Sequence, residues 1–90
     1  MSALTKEFEV VNVKGLHVRA ATVLAQLSGS FSSTIVLEHA GERANAKSVM
    51  NLLLLTAPMG AIITVIIDGE DAMEAMEAVG ALITNGFGEA

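Results

Sequence analysis

His17 and Arg19 stand two residues apart in the stretch Gly15-Leu16-His17-Val18-Arg19, where a strand-like segment gives way to a helix-like one. A histidine at a helix start is placed to hold a phosphoryl group. The first backbone N–H groups of a helix have no internal partners and point outward, and the helix dipole favours negative charge there. Arg19 adds a fixed cation whose planar fork can bind two phosphate oxygens at once. The same positive field favours the neutral imidazole, the form able to attack phosphorus.

Other chemistries find little support. Cysteine is absent, so there is neither a disulfide framework nor a thiolate nucleophile, and the composition suits a reducing, cytoplasmic setting. The two histidines, His17 and His39, lack ligand spacing, so no metal site is expected. A net charge of −5 without a Lys/Arg cluster argues against nucleic acid, whose phosphates need cations. The longest apolar run, Leu52 to Leu55, is far short of the ~20 residues a membrane span needs, so no membrane insertion is expected. The N-terminal residues carry no apolar signal-peptide core. No nucleotide loop of the Gly-x-x-x-x-Gly-Lys type, no paired acid and base, and no cofactor motif is present, so an enzyme in its own right is not expected. Ninety residues make one domain over 1–90, with an ordered core at about 5–84 and a tail, 85–90, expected to fray.

The elements that must position His17 are legible from periodicity. Thr5 to Val11 alternates, with Phe8 and Val10 on one face and Glu7 and Glu9 on the other. Ala21, Leu24 and Leu27 recur at helical spacing from about His17 to Ser28, with Gly29 as the expected stop. Thr34 to Glu38 predicts a strand with Ile35 and Leu37 on one face. His39-Ala40-Gly41-Glu42 predicts a hairpin turn, with His39 solvated and a return strand through Ala46. Ser48 is placed to cap a short helix from Val49 to about Leu55, ended by Pro58 and Gly60. Ala61 to Ile67 is the strongest strand signal. Asp68 or Gly69 is expected to cap a last helix whose buried stripe is Ala72, Met76, Val79 and Ile83. Met50, Met73 and Met76 are expected to pack. The order β-α-β-β-α-β-α predicts a two-layer α+β domain, an open-faced sandwich with a four-stranded antiparallel sheet. Because the central strand is apolar on both sides, Ile62 and Ile66, with Val36 and Val11, are expected to leave an apolar patch on the bare face. The protein is expected to be a monomer able to self-associate weakly.

Three stretches together resemble the HPr family, the histidine-containing phosphocarriers of the bacterial sugar phosphotransferase system. Gly15-Leu16-His17-Val18-Arg19 is similar to its Gly-Leu-His-x-Arg-Pro-Ala motif. Ala46-Lys47-Ser48-Val49-Met50 is similar to its regulatory-serine segment, and Gly69-Glu70-Asp71 to the opening of its last helix. The resemblance runs in register from about Thr5 to Ile83 and implies a sheet order of 1-4-2-3 with three helices on one face. It implies that His17 takes a phosphoryl group on Nδ1 from phospho-Enzyme I and passes it to an Enzyme IIA domain, with Arg19 steadying it. It further implies that Ser48 is the target of an HPr kinase/phosphorylase.

Two departures stand out. The motif's proline is replaced by Ala20, which restores an N–H at the helix start and loosens it. The surfaces where the family often carries lysines read Gln26, Asn51, Leu53 and Leu54. Docking is therefore expected to lean on Val18, Ala20, Val49, Met50 and Leu53 rather than on charge. The alternative is a regulatory or nitrogen-branch paralogue, acting as a phosphorylation-dependent binding switch.

Overall fold

Strand alternation and helical periodicity translate into seven regular elements in a computed structural model that describes residues 3–89. They are β1 (Leu4–Glu9), α1 (Val18–Gly29), β2 (Thr34–His39), β3 (Glu42–Asn45), α2 (Val49–Leu53), β4 (Ile62–Asp68) and α3 (Ala72–Thr84), followed by a 3-10 turn at Gly86–Gly88. All strand pairs are antiparallel and the sheet order is β1-β4-β2-β3. Both the α+β class and the 1-4-2-3 order expected above are met.

The core lies between the sheet and the helices. β4 is central and presents Ile63, Val65 and Ile67 inward, with Phe8 of β1 and Ile35 and Leu37 of β2 beside them in register. Ala21, Leu24 and Ala25 of α1, Leu52 of α2, and Met76, Val79 and Ile83 of α3 close over them. Full burial of each large apolar side chain stabilises by about 1.5–3 kcal/mol. Gly80 lets α3 lie against β1, since a Cβ there would come within 2.6 Å of the Phe8 ring. The hairpin turn places Ala40 at φ +51° and Gly41 at φ +83°, the paired left-handed geometry that matches strand twist.

Several boundaries differ from expectation. Gly29 stays helical; α1 ends because Ser30 turns and donates both its N–H and its hydroxyl to the Leu27 carbonyl. α2 is shorter than expected, closing at Leu53 with Thr56 at φ +46°. α3 starts after Asp71, not at Asp68 or Gly69, and the Asp71 carboxylate does not cap it. Instead it accepts the N–H groups of Ser32 (2.8 Å) and Ser33 (2.9 Å) and the Ser33 hydroxyl, stapling α3 to the turn before β2. Met76 is buried, but Met50 and Met73 are exposed. Over residues 85–89 the chain packs back onto the domain. Phe87 is buried in the core and Glu89 is hydrogen-bonded. Ala90 lies outside the described residues.

Candidate functional site

The loop before α1 is pinned to the connection between α2 and β4. The Leu16 N–H donates to the Ala57 carbonyl (2.9 Å), and the Gly60 N–H to the Val10 carbonyl (2.7 Å). Gly15 sits at φ +65°, and a Cβ there would come within 2.4 Å of the Ala57 oxygen, so the close approach needs glycine. This brings His17 to the N-cap of α1 in an extended conformation.

The imidazole caps the helix itself. The Arg19 N–H donates to Nδ1 at 3.3 Å, while Nε2 lies 2.6 Å from Oε2 of Glu89. The Glu89 Oε1 accepts from the Asn12 side-chain amide at 2.8 Å, and the same amide donates to the Gly15 carbonyl at 2.8 Å. Asn12 is buried, whereas the His17 and Glu89 side chains retain 27% and 17% exposure. The Asn12 hydrogen bond, helped by His17 and Lys14, holds the Glu89 carboxyl below its ordinary range against partial desolvation. Arg19 is exposed and forms no ion pair among the described residues. It lines an open pocket of about 420 Å³ together with Lys14, Val23, Phe87 and Glu89. A ring nitrogen at a helix start, beside an exposed guanidinium that lines an open pocket, suits binding of an anionic group.

The other expected residues divide. Ser48 caps α2, its hydroxyl accepting the Asn51 N–H at 3.2 Å. Val18 and Met50 are 62% and 75% exposed, with Val49 and Leu53 half-buried beside them. Ala20, expected on the docking face, is a correction. At 1% exposure its side chain belongs to the core, because α1 turns that position toward the sheet. Leu54 is exposed and extends the apolar rim. His39 is not merely solvated; its Nδ1–H donates to the Leu55 carbonyl (3.0 Å), tying the hairpin to the end of α2. Sequence reasoning missed Asn12 and Glu89. The one available signal was an aromatic residue between two glycines, Gly86-Phe87-Gly88, a pattern that curls a chain rather than extending it. Among the described residues there is no cluster that could hold a metal ion, and no helix is long and apolar enough to cross a membrane.

Comparisons with known proteins agree on one family. Residues 4–85 match the family model described as PTS HPr component phosphorylation site. The phosphocarrier protein HPr of Cupriavidus necator is 42% identical over 86 residues, covering 96% of this chain and 97% of that protein. The phosphocarrier protein NPr of Shewanella violacea is 40% identical over 90 residues, covering 100% of this chain and 99% of that one. Among solved structures, HPr from Thermoanaerobacter tengcongensis superposes with a TM-score of 0.92 at 34% identity, covering 97% of this chain and 98% of that chain.

Proposed function

This chain belongs to the HPr family of phosphocarriers, and we propose on that premise that Nδ1 of His17 accepts a phosphoryl group from phospho-Enzyme I and passes it to an Enzyme IIA domain in sugar uptake. The observation that carries the reading is the orientation of His17. Its Nδ1 sits at the opening of α1, where it accepts the Arg19 N–H, while Nε2 is already engaged. A phosphoryl group on Nδ1 places its oxygens against the Arg19 N–H and within the field of the helix start, and the Arg19 guanidinium steadies it. The site is shallow, so each partner brings the remaining groups. Val18, Val49, Met50 and Leu53, with Leu54, form the docking face. The work is carried out in the cytoplasm.

Incubation with Enzyme I and phosphoenolpyruvate tests this directly. The intact mass is expected to rise by one acid-labile phosphoryl group, and His17→Ala, checked as folded by circular dichroism, is expected to take up none. Uptake by His17→Ala would overturn the assignment.

A second reading is a nitrogen-branch or regulatory paralogue. It is favoured by the full-length similarity to an NPr protein and by the apolar docking face. Competition between sugar-branch and nitrogen-branch donors for the same chain separates the two. Ser48 fits a regulatory phosphorylation site. A phosphate there meets the positive end of α2 and need not unfold it, yet places charge amid Met50 and Leu53. HPr kinase/phosphorylase with ATP is expected to modify the wild type and not Ser48→Ala.

A further inference from the structure

Nothing in phosphoryl transfer by a lone helix-capping histidine calls for the carboxylate that reaches His17 from the far end of the chain. Asn12 is buried and directs its amide hydrogens to the Gly15 carbonyl and to Glu89 Oε1, so it fixes the carboxylate and the loop before His17 together. The segment carrying Glu89 is held in an uncommon backbone. Gly86, Phe87 and Gly88 adopt φ of +64°, +58° and +78° in succession. Phe87 is a bulky residue in the left-handed region, a conformation that persists only where the surroundings over-determine it. Here its ring is buried in the core. The result is a short hook that returns Glu89 to the imidazole.

The hydrogen-bond roles at the ring then admit one neutral tautomer. An ionised carboxylate only accepts, so the 2.6 Å contact requires the proton on Nε2. Nδ1 accepts the Arg19 N–H, so it carries the lone pair. We propose that Glu89, held by Asn12, is a positioning residue that keeps the His17 proton on Nε2 and so presents Nδ1 as the nucleophile. This rests on His17 being the phosphoryl acceptor. In the transfer step the Nδ1 electron pair forms the new P–N bond, and the donor's P–N bond breaks with its electron pair returning to the donor nitrogen. The Nε2 proton stays in place, leaving a cationic phospho-imidazole opposite the Glu89 carboxylate. The same pairing favours the cationic ring, the better leaving group, when the phosphoryl group moves on. The charged groups around the ring are Glu89 from the hook, Lys14 from the preceding loop and Arg19 from α1.

The test uses the full chain with 15N-labelled histidine. The wild-type His17 ring is expected to show a protonated Nε2 and a bare Nδ1. Glu89→Ala is expected to shift it toward a mixture of tautomers and to slow single-turnover phosphoryl uptake by about tenfold, the order associated with one charge-assisted hydrogen bond. Glu89→Gln, whose amide oxygen still accepts, is expected to keep the tautomer but slow uptake. His39, bonded to Leu55, is the internal reference: its ring signals stay fixed if the fold is unchanged. Three results overturn the proposal. They are unaltered His17 ring signals in Glu89→Ala, unaltered uptake in that variant, and faster uptake, which would make the carboxylate a plug. Failure of the wild type to take up any phosphoryl group would instead remove the phosphocarrier reading, while the ring signals still report on the tautomer.

Discussion

Gly15 determines how closely the loop carrying His17 can approach its support. Its positive φ and its contact with Ala57 mean that any side chain there must displace backbone, not a flexible neighbour. Gly15→Ala is expected to destabilise by more than ~1 kcal/mol, since it places a Cβ in a left-handed conformation as well as a clash. Urea unfolding checks the stability. Uptake measured on the folded fraction is expected to fall too, because the loop moves away from Ala57 and takes His17 with it. Ala20 is the converse case. It occupies the third position of α1, where an N–H has no helical carbonyl to meet, so proline fits the backbone. Ala20→Pro is expected to raise stability by about 0.4–1 kcal/mol by narrowing the unfolded ensemble. A lower thermal midpoint would mean that the ring collides with the core around that buried site.

At the scale of elements, the staple between Asp71 and the turn before β2 gives the fold a defined acid sensitivity. The hydroxyl of Ser33 and the N–H of Ser32 lower the Asp71 pKa from 3.8 to about 2. A carboxyl whose folded pKa is depressed adds stability that is fully present well above 3.8 and is lost as pH falls through about 2. Asp71→Asn is therefore expected to lower the thermal midpoint at pH 6, and the gap from wild type is expected to close as pH falls toward 2. A gap that stays constant would show that the staple acts through shape rather than charge. Ser48→Ala is expected to cost about 1 kcal/mol through loss of the α2 cap, read as faster amide exchange at Asn51 to Leu54. Sequence legibility follows from the range of the interactions. The alternation of Ile63, Val65 and Ile67 and the helical spacing of Ala72, Met76, Val79 and Ile83 are local patterns set by burial, and they emerge as expected. So does the capping hydroxyl of Ser48, three residues from its donor. The Asp71 staple, the His39 bond to Leu55 and the Glu89 contact to His17 join residues far apart in the chain, and no local periodicity encodes them. Ala20 is buried where a docking residue is expected, because the helix phase, not residue type, decides which way a small side chain points.

At the scale of the whole molecule, the sheet face opposite the helices determines whether the protein meets its own copies. Strand alternation puts Ile62, Thr64 and Ile66 of β4 on that face, with Val36 and Glu38 of β2 and Thr5, Glu7 and Glu9 of β1 beside them in register. Ile62 is 50% exposed, while Ile66 and Val36, paired across the strands, are half-buried. The apolar strip is thus real but narrow, and carboxylates flank it. Among the described residues, only Glu38 has a cationic partner there, Arg43 at 3.2 Å. With a net charge of −5, two copies facing each other through this sheet bring like charges together, and the strip must overcome that repulsion. Screening decides the balance, since the Debye length falls from about 10 Å at 0.1 M salt to about 3 Å at 1 M. We therefore expect a monomer in dilute, low-salt solution and weak, concentration-dependent association near 1 M sodium chloride, measured by sedimentation velocity. Ile62→Glu, which interrupts the strip without touching the core, is expected to abolish the association. A monomer at every salt and protein concentration would show that the apolar strip is too narrow to hold a second copy.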